Sequence, residues 1–255
     1  MSLSVVLATY NEEKNLPNCL TSVKDIANEI IIVDGTSTDK TVAIARAFGA
    51  RVIITDNPPI FHINKQKAID KATKDWVLQL DADERVTPQL AAEIEEVIKD
   101  RKSMDGYWVP RKNWFLGRFL MKGGVYPDYT LRLYRRGKGH LPQKDVHEQA
   151  VVNGSVGYLQ NPLVHIADPY FGRYLMRYKR YTSLIAEEFR EKKTGKDPVT
   201  FSKYMIILPI WWFFLGYIRH KGFLDSWQGF VFAFFSALRF PVGYVKYLSG
   251  KKLNQ

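Results

Sequence analysis

Asp81-Ala82-Asp83 places two carboxylates one residue apart, directly after the apolar run Trp76-Val77-Leu78-Gln79-Leu80. That run has the length and composition of a buried β-strand. A strand ending in two carboxylates puts negative charge at the C-terminal edge of a sheet, where open α/β sheets bind their ligands. Two hard oxygen donors suit Mg²⁺ or Mn²⁺, and such a cation commonly travels with phosphate. Taken alone, the triplet is more often a solvated acidic loop. Its meaning rests on what else reaches the same edge.

Two other strands end in usable residues. The first apolar strand, Leu3–Thr9, runs into Tyr10-Asn11-Glu12, and Glu29–Asp34 ends in a carboxylate followed by Gly35 and a Thr/Ser-rich segment. In a doubly wound sheet these ends converge on one crevice with Asp81 and Asp83. A nucleotide would use them together: backbone and an aromatic at 8–10 for the base, Asp34 for base or ribose, the Asp81/Asp83 pair for a metal on the diphosphate. No G-x-G-x-x-G follows the first strand and no G-x-x-x-x-G-K-[ST] occurs. A dinucleotide-binding fold and a P-loop NTPase are therefore both disfavoured.

The elements that must position these residues alternate. Helices are expected over 13–26, from Thr38/Asp39 to Phe48 and over 64–74, with a third strand at 51–55. Continuous apolar strands separated by amphipathic helices imply an α/β fold with a mostly parallel sheet covered on both faces. Thr87-Pro88 opens a further helix, with hydroxyl cap and proline at the first position. Residues 105–165 read as short mixed strands extending the sheet, and 170–192 as a basic, aromatic-rich helix. The expected division is a catalytic domain over 1–168 and a helical region over 169–255.

The C-terminal part differs in kind. Residues 204–218 form an uncharged run of 15, interrupted by Pro209, and 226–238 form another of 13. Neither reaches the roughly 20 residues of a spanning helix. With Arg219-His220-Lys221 between them and Lys246, Lys251 and Lys252 beyond, they read as a helical hairpin lying in a membrane interface. A buried helical subdomain or an oligomer contact would have the same composition.

Charge is divided the same way. Residues 1–100 carry 11 Lys and Arg against 16 Asp and Glu, and the remainder carries 26 against 10, for a net charge of +11. A basic half points to a polyanionic partner, such as anionic lipid or a phosphorylated glycolipid. Nucleic acid fits poorly, because the basic residues sit beside long apolar runs. One cysteine, Cys19, permits no disulfide framework within a chain and fits a reducing compartment. The N-terminus lacks a basic n-region and runs straight into a strand, so no secretory signal is read there.

Val5-Val6-Leu7-Ala8-Thr9-Tyr10-Asn11-Glu12, then Ile32-Val33-Asp34-Gly35-Thr36-Ser37-Thr38-Asp39-Lys40-Thr41, then Leu80-Asp81-Ala82-Asp83-Glu84 resemble family 2 glycosyltransferases of the GT-A fold. Gly117-Arg118, Tyr126-Pro127-Asp128, Arg132-Leu133, Val146-His147-Glu148 and Gly222-Phe223-Leu224-Asp225-Ser226 are similar to the branch with lipopolysaccharide-core β-glucosyltransferases. The resemblance implies a Rossmann-like GT-A sheet and inverting transfer of a sugar from a UDP-sugar, with Mn²⁺ or Mg²⁺ on the donor phosphates. It implies that Ala8, Thr9, Tyr10, Glu12 and Asp34 hold the nucleoside. Asp81, with Ala82, would face the ribose or donor sugar, and Asp83 would bind the metal. Glu148 is the expected base, with Asp145 and Asp128 as alternatives, and His165 a candidate further metal ligand.

Two segments depart from the family pattern. Gly35-Thr36 replaces an acidic or serine residue followed by glycine. Asn64-Lys65-Gln66-Lys67 stands where a basic residue followed by asparagine is usual. Lys65 is best placed for a phosphate, with Lys67 second. On the acceptor side, Arg132 (with Arg135 and Arg136) suits a phosphate-bearing acceptor, and Trp114, Tyr126 and Tyr129 suit sugar rings.

The expectation is a transferase moving one sugar, glucose by the resemblance, to a lipid-borne glycan such as lipopolysaccharide inner core. It would work at the cytoplasmic face of the inner membrane as a peripheral or monotopic protein, with its C-terminal helices available for oligomer contacts. A polyprenyl phosphate acceptor is the nearer alternative. Being already ionised, it would need no base. A non-catalytic membrane-binding module on a degenerate GT-A fold is the alternative of another class, against which the three carboxylates at 34, 81 and 83 stand.

Overall fold

The computed structural model describes residues 1–58, 60–142 and 149–250. They fall into two compact units, one of residues 1–112 and 128–165, the other of 113–127 and 166–255.

The first unit is built on β1 (Leu3–Thr9), β2 (Glu29–Asp34), β3 (Arg51–Ile54) and β4 (Trp76–Leu80). The helices α1 (Leu16–Val23), α2 (Thr41–Ala47) and α3 (His62–Asp70) connect them. β1 pairs in parallel with β2 on one side and β4 on the other, and β2 pairs in parallel with β3. Successive strand residues point to opposite faces. Leu3, Val5 and Leu7 therefore join Leu16, Cys19, Leu20 and Val23 of α1 in one core. Val6, Ile31, Val33 and Val77 meet Ala68 and Ile69 of α3 in the other. Both faces are covered, which is why the strands read as unbroken apolar runs.

Beyond β4 the sheet becomes mixed. β5 (Glu84–Val86), β6 (Gly106–Phe115), β8 (Asp128–Arg135) and β12 (Leu163–Asp168) complete the order β3-β2-β1-β4-β8-β6-β12-β5. β7 (Arg118–Phe119) and β11 (Val156–Tyr158) attach to β6, and β9 (Gly139–His140) pairs with β10 (Val151–Val152). β4 takes β8 antiparallel, Leu78 opposite Leu133, and β5 takes β12 antiparallel, His165 opposite Glu84. α4 (Pro88–Lys99) starts at Thr87, whose Oγ1 accepts from the Leu90 amide at 3.2 Å.

Several helix ends differ from expectation. α1 starts at Leu16, not 13, because Pro17 occupies its first turn while the Glu12 carbonyl accepts from the amides of Asn15 and Leu16. α3 stops at Asp70, short of 74. The Glu29 carboxylate accepts from the Thr73 amide (2.6 Å) and hydroxyl (2.9 Å), drawing the chain out of the helix.

The second unit has its own aromatic core. Phe115, Leu120 and Tyr174 are buried there, with Phe232 and Phe235 packed against them. Phe115 is joined to Arg118 by a two-residue turn in which Leu116 (φ 48°) and Gly117 (φ 89°) are both left-handed, as a tight hairpin requires. α5 (Phe171–Glu191) packs on α8 (Ser226–Leu248). Between them lies a helical run, Pro198–Arg219, made of α6 (Pro198–Ser202), a π-turn, α7 (Leu208–Phe214) and a second π-turn.

That run corrects the expected length. It continues through Pro209 for 22 residues, long and apolar enough to cross a membrane by that measure alone, and none of it is buried. Two features extend it. The Asp197 side chain caps it, accepting from the amides of Val199 and Thr200 at 3.0 Å, and Pro209 falls in the first turn of α7, directly after the π-turn. Ile207, Ile210, Trp211, Phe214 and Ile218 form an exposed stripe at helical spacing.

Candidate active site

Parallel register aligns the strand ends. Thr9 lies opposite Asp34, and Leu7 opposite Leu80, so Asp81 emerges beside the end of β1. Asp34 is fully buried. Its Oδ2 accepts from the hydroxyls of Thr9 and Ser37 at 2.7 Å, and its Oδ1 from the Ser37 amide at 2.7 Å. Asp34 thus organises the loop after β2 as well as standing at its base. The two loops are tied together: the Asn11 amide donates to Ser37 Oγ (2.8 Å), and the Glu12 amide to Thr41 Oγ1 (2.7 Å). Glu12 itself accepts from Asn15 Nδ2 at 2.8 Å. Ala8 is half-buried, while Tyr10 presents an exposed ring at the same edge.

Thr36 sits in the left-handed region (φ 66°), where a β-branched residue is strained. Its hydroxyl donates to the Thr55 carbonyl at 2.6 Å, holding it there. The departure from the family pattern therefore coincides with a strained backbone at the proposed donor edge.

Asp81 is held by two cations. Lys65 forms an ion pair with its Oδ1, and Arg132 NH2 reaches Oδ2 at 2.8 Å. Burial would raise the Asp81 pKa, but Lys65 and then Arg132 outweigh it and hold the carboxyl well below the usual carboxylate range. Lys65 lies buried over the Phe61 ring, 4.7 Å from its centroid. Lys67 is instead half-buried, donating to Thr55 Oγ1 (2.9 Å) and lying near Asp56.

Arg132, expected at the acceptor, is buried beneath the triplet. It donates to Gln79 Oε1 (2.6 Å), Glu84 Oε1 (2.6 Å) and Asp81. Burial would lower its pKa, and Glu84 followed by Asp81 raise it, so the guanidinium stays charged. Glu84, fully buried, also accepts from the Asp81 amide at 2.9 Å and so closes the Asp81–Glu84 turn. Sequence reading missed Glu84. Its signal was an acidic residue three positions after Asp81 in a strand with no exposed face. Cys19 donates its thiol to the Asp81 carbonyl (3.6 Å). Burial, then Glu84, Asp83 and Asp81, push its pKa up, so it is no thiolate nucleophile.

The two expected metal ligands meet. The β5–β12 register puts His165 beside Asp83, with Nε2 3.5 Å from Oδ2 and both side chains largely buried. A carboxylate oxygen and an imidazole nitrogen converging in this way fit a divalent cation such as Mn²⁺. Among the described residues no group of three or more His, Cys, Asp or Glu could hold a metal. Ala82 is buried between the two aspartates.

Asp128 accepts from Arg111 through Nε (3.0 Å) and NH2 (2.7 Å), which commits it to an ion pair. Glu148 and Asp145 lie outside the described residues. Trp114, edge-to-face with Phe119, and Tyr126, preceding a cis-proline, belong to the second unit.

The fold, a parallel α/β sheet extended by antiparallel strands, is of the GT-A type. It matches residues 1–349 of Staphylococcus aureus TarS with a TM-score of 0.51 at 16% identity, over 100% of this chain and 93% of that one. Residues 4–154 match Glycosyl transferase family 2. Over 253 residues the chain is 30% identical to the lipopolysaccharide core biosynthesis glycosyltransferase LpsC of Rhizobium meliloti, covering 94% of this chain and 92% of that one. It is 29% identical over 255 residues to an uncharacterized glycosyltransferase of Rickettsia bellii, covering 93% and 84%. The chain belongs to glycosyl transferase family 2.

Proposed function

We propose that this chain transfers a single hexose, glucose by its resemblance, from a UDP-sugar to a hydroxyl of a lipid-borne glycan such as lipopolysaccharide core, with inversion. The observation that carries the reading is the meeting of Asp83 and His165 at 3.5 Å beside an Asp81 that is already neutralised by Lys65 and Arg132. Asp34, Thr9 and Tyr10 would hold the nucleoside. Asp81 and Ala82 would face ribose or sugar. A divalent cation held by Asp83 and His165 would offset the charge growing on the departing nucleotide. Lys65, within reach of Asp81, would share its charge with the diphosphate when donor binds.

The acceptor oxygen attacks the anomeric carbon opposite the leaving phosphate. The carbon–phosphate-oxygen bond breaks, UDP leaves, and the hydroxyl proton passes to a carboxylate, for which Glu148 is the choice. Attachment to an anionic membrane surface, on the cytoplasmic side, would be through the exposed stripe of the second unit. The likeness to LpsC over most of both chains supports an envelope-glycan acceptor. The test is a screen of UDP-sugars for metal-dependent hydrolysis and for transfer to deacylated or intact lipopolysaccharide core. Turnover of one donor with either metal supports the reading. No turnover of any UDP-sugar, with other nucleotide sugars accepted, contradicts it.

A further inference from the structure

Arg239 lies near the middle of α8, half-buried in an otherwise uncharged stretch. Its guanidinium carbon stands 4.4 Å from the centroid of Trp212 and 4.8 Å from that of Phe240. Tyr174, Tyr178 and Tyr181 are its titratable neighbours, and burial lowers its pKa from the usual arginine value. Among the described residues it has no hydrogen bond and no ion pair. An arginine partly removed from water normally meets a carboxylate or carbonyls. The buried hydroxyl of Tyr178, one of these neighbours, also lacks a partner among the described residues.

The surroundings say what could answer it. The Pro198–Arg219 run carries its exposed apolar stripe, and α8 adds exposed Trp227, Phe230 and Phe234. Lys203, Arg219 and Lys221 lie exposed at the far end and at the turn of this helix pair. Apolar surface with cations along its whole length complements an anionic bilayer. Arg239 then decides orientation. It stands 13 residues from Ser226, about 20 Å from the turn at the helical rise. A hairpin driven end-on into a bilayer would carry this unpaired cation into the hydrocarbon, which is costly. A hairpin lying along the surface keeps every cation at headgroup level.

We propose that α8 and the Pro198–Arg219 run lie flat on a phospholipid bilayer, and that Arg239, backed by the rings of Trp212 and Phe240, binds a headgroup phosphate. This rests on the membrane attachment proposed above and is independent of sugar transfer. The rings fix the plane of the guanidinium and shield it from water, leaving its outer edge to take a phosphate in bidentate fashion.

The test uses the full chain and vesicles of phosphatidylcholine with about 30% phosphatidylglycerol. One interfacial cation is worth about 1 kcal/mol, so Arg239→Gln should weaken flotation binding by at least about fivefold. Arg239→Lys keeps the charge but loses the planar fork, so its binding should fall between that of the parent and that of Arg239→Gln, and added salt should narrow the gaps. Nitroxides at Ile207, Phe214 and Phe230, each introduced through cysteine, should report similar depths. Unchanged binding of Arg239→Gln overturns the proposal, as does equal loss in both variants with lowered melting temperature, which would mark a packing role. A depth that increases steadily toward the turn overturns the flat orientation. Binding seen only when a phosphorylated glycolipid is added, or a stable dimer that excludes vesicles, would assign the face to another occupant. Calorimetric UDP binding in the same preparations separates this result from the fate of the transferase reading.

Discussion

The two units handle charge and apolar surface in opposite ways. In the first, cations and carboxylates are matched: Lys65, Asp81, Arg132, Glu84 and Arg111 form one connected set, with Lys65, Arg132 and Glu84 buried and Asp81 and Arg111 partly so. In the second, large aromatic and aliphatic groups are outside, and Arg239 is stacked on rings with no counter-ion among the described residues. Internal matched charge buys little net stability, since desolvation consumes most of the attraction, but it fixes geometry. Here it fixes the turn that carries Asp81 and Asp83. Under the proposed function, the contrast would suit the first unit to holding a small charged ligand in one place, and the second to meeting an extended surface.

The largest effect should come from the first unit. Asp83→Ala is expected to lower transfer by about a thousandfold or more, the worth of several kcal/mol of charge stabilisation, while leaving the fold intact. Steady-state assays with Mn²⁺ or Mg²⁺ check this. A loss that excess metal fully restores would instead indicate weakened affinity only.

Next is Arg132→Gln, which strands Asp81 and Glu84 in a buried site. Unpairing a buried ion pair costs about 3–5 kcal/mol, readable as a shift in the urea midpoint. A change below about 1 kcal/mol would mean that the set is solvated and that the contrast between the units is weaker than drawn.

Acid should expose the same device more gently. Asp81 has a folded pKa depressed below its unfolded value, so its contribution is present above the unfolded value of about 3.9 and is lost as pH falls toward the folded one. Stability should therefore decline below about pH 4, with a shallower decline in Asp81→Asn. Equal slopes in the two proteins would remove Asp81 from the account.

Substitutions on the second unit's stripe should reverse the pattern. Ile210→Ser and Trp211→Ser are expected to change unfolding free energy by no more than about 0.5 kcal/mol, because both side chains are exposed. Vesicle binding should fall in each. The smallest effect on function is expected from Thr87→Ala, which should cost about 1 kcal/mol of stability from a lost helix cap and change neither donor affinity nor vesicle binding.

Much of this was legible in the residues. Strands 3–9, 29–34 and 76–80 were readable because a parallel sheet buried on both faces must be written as apolar runs, and their C-terminal residues then had to share an edge. The Thr87-Pro88 helix start was readable from its cap. What escaped depended on distant partners. The end of α3 is set by Glu29 taking Thr73, and the role of Arg132 by β8 lying beside β4, which no local pattern announces. The extent of the Pro198–Arg219 run was hidden because Pro209 reads as a breaker, although Asp197-Pro198 carried a start signal. His165 was placed by resemblance. Its meeting with Asp83 follows from the pairing of β5 with β12.

The most direct test of the central claim is calorimetric titration of UDP into the full chain, with and without Mn²⁺, for the parent and for Asp83→Ala. The account predicts binding that tightens at least tenfold with metal in the parent and loses that gain in the variant. Absence of UDP binding to the parent under both conditions, or an Asp83→Ala protein that keeps the full metal-dependent gain, would contradict it.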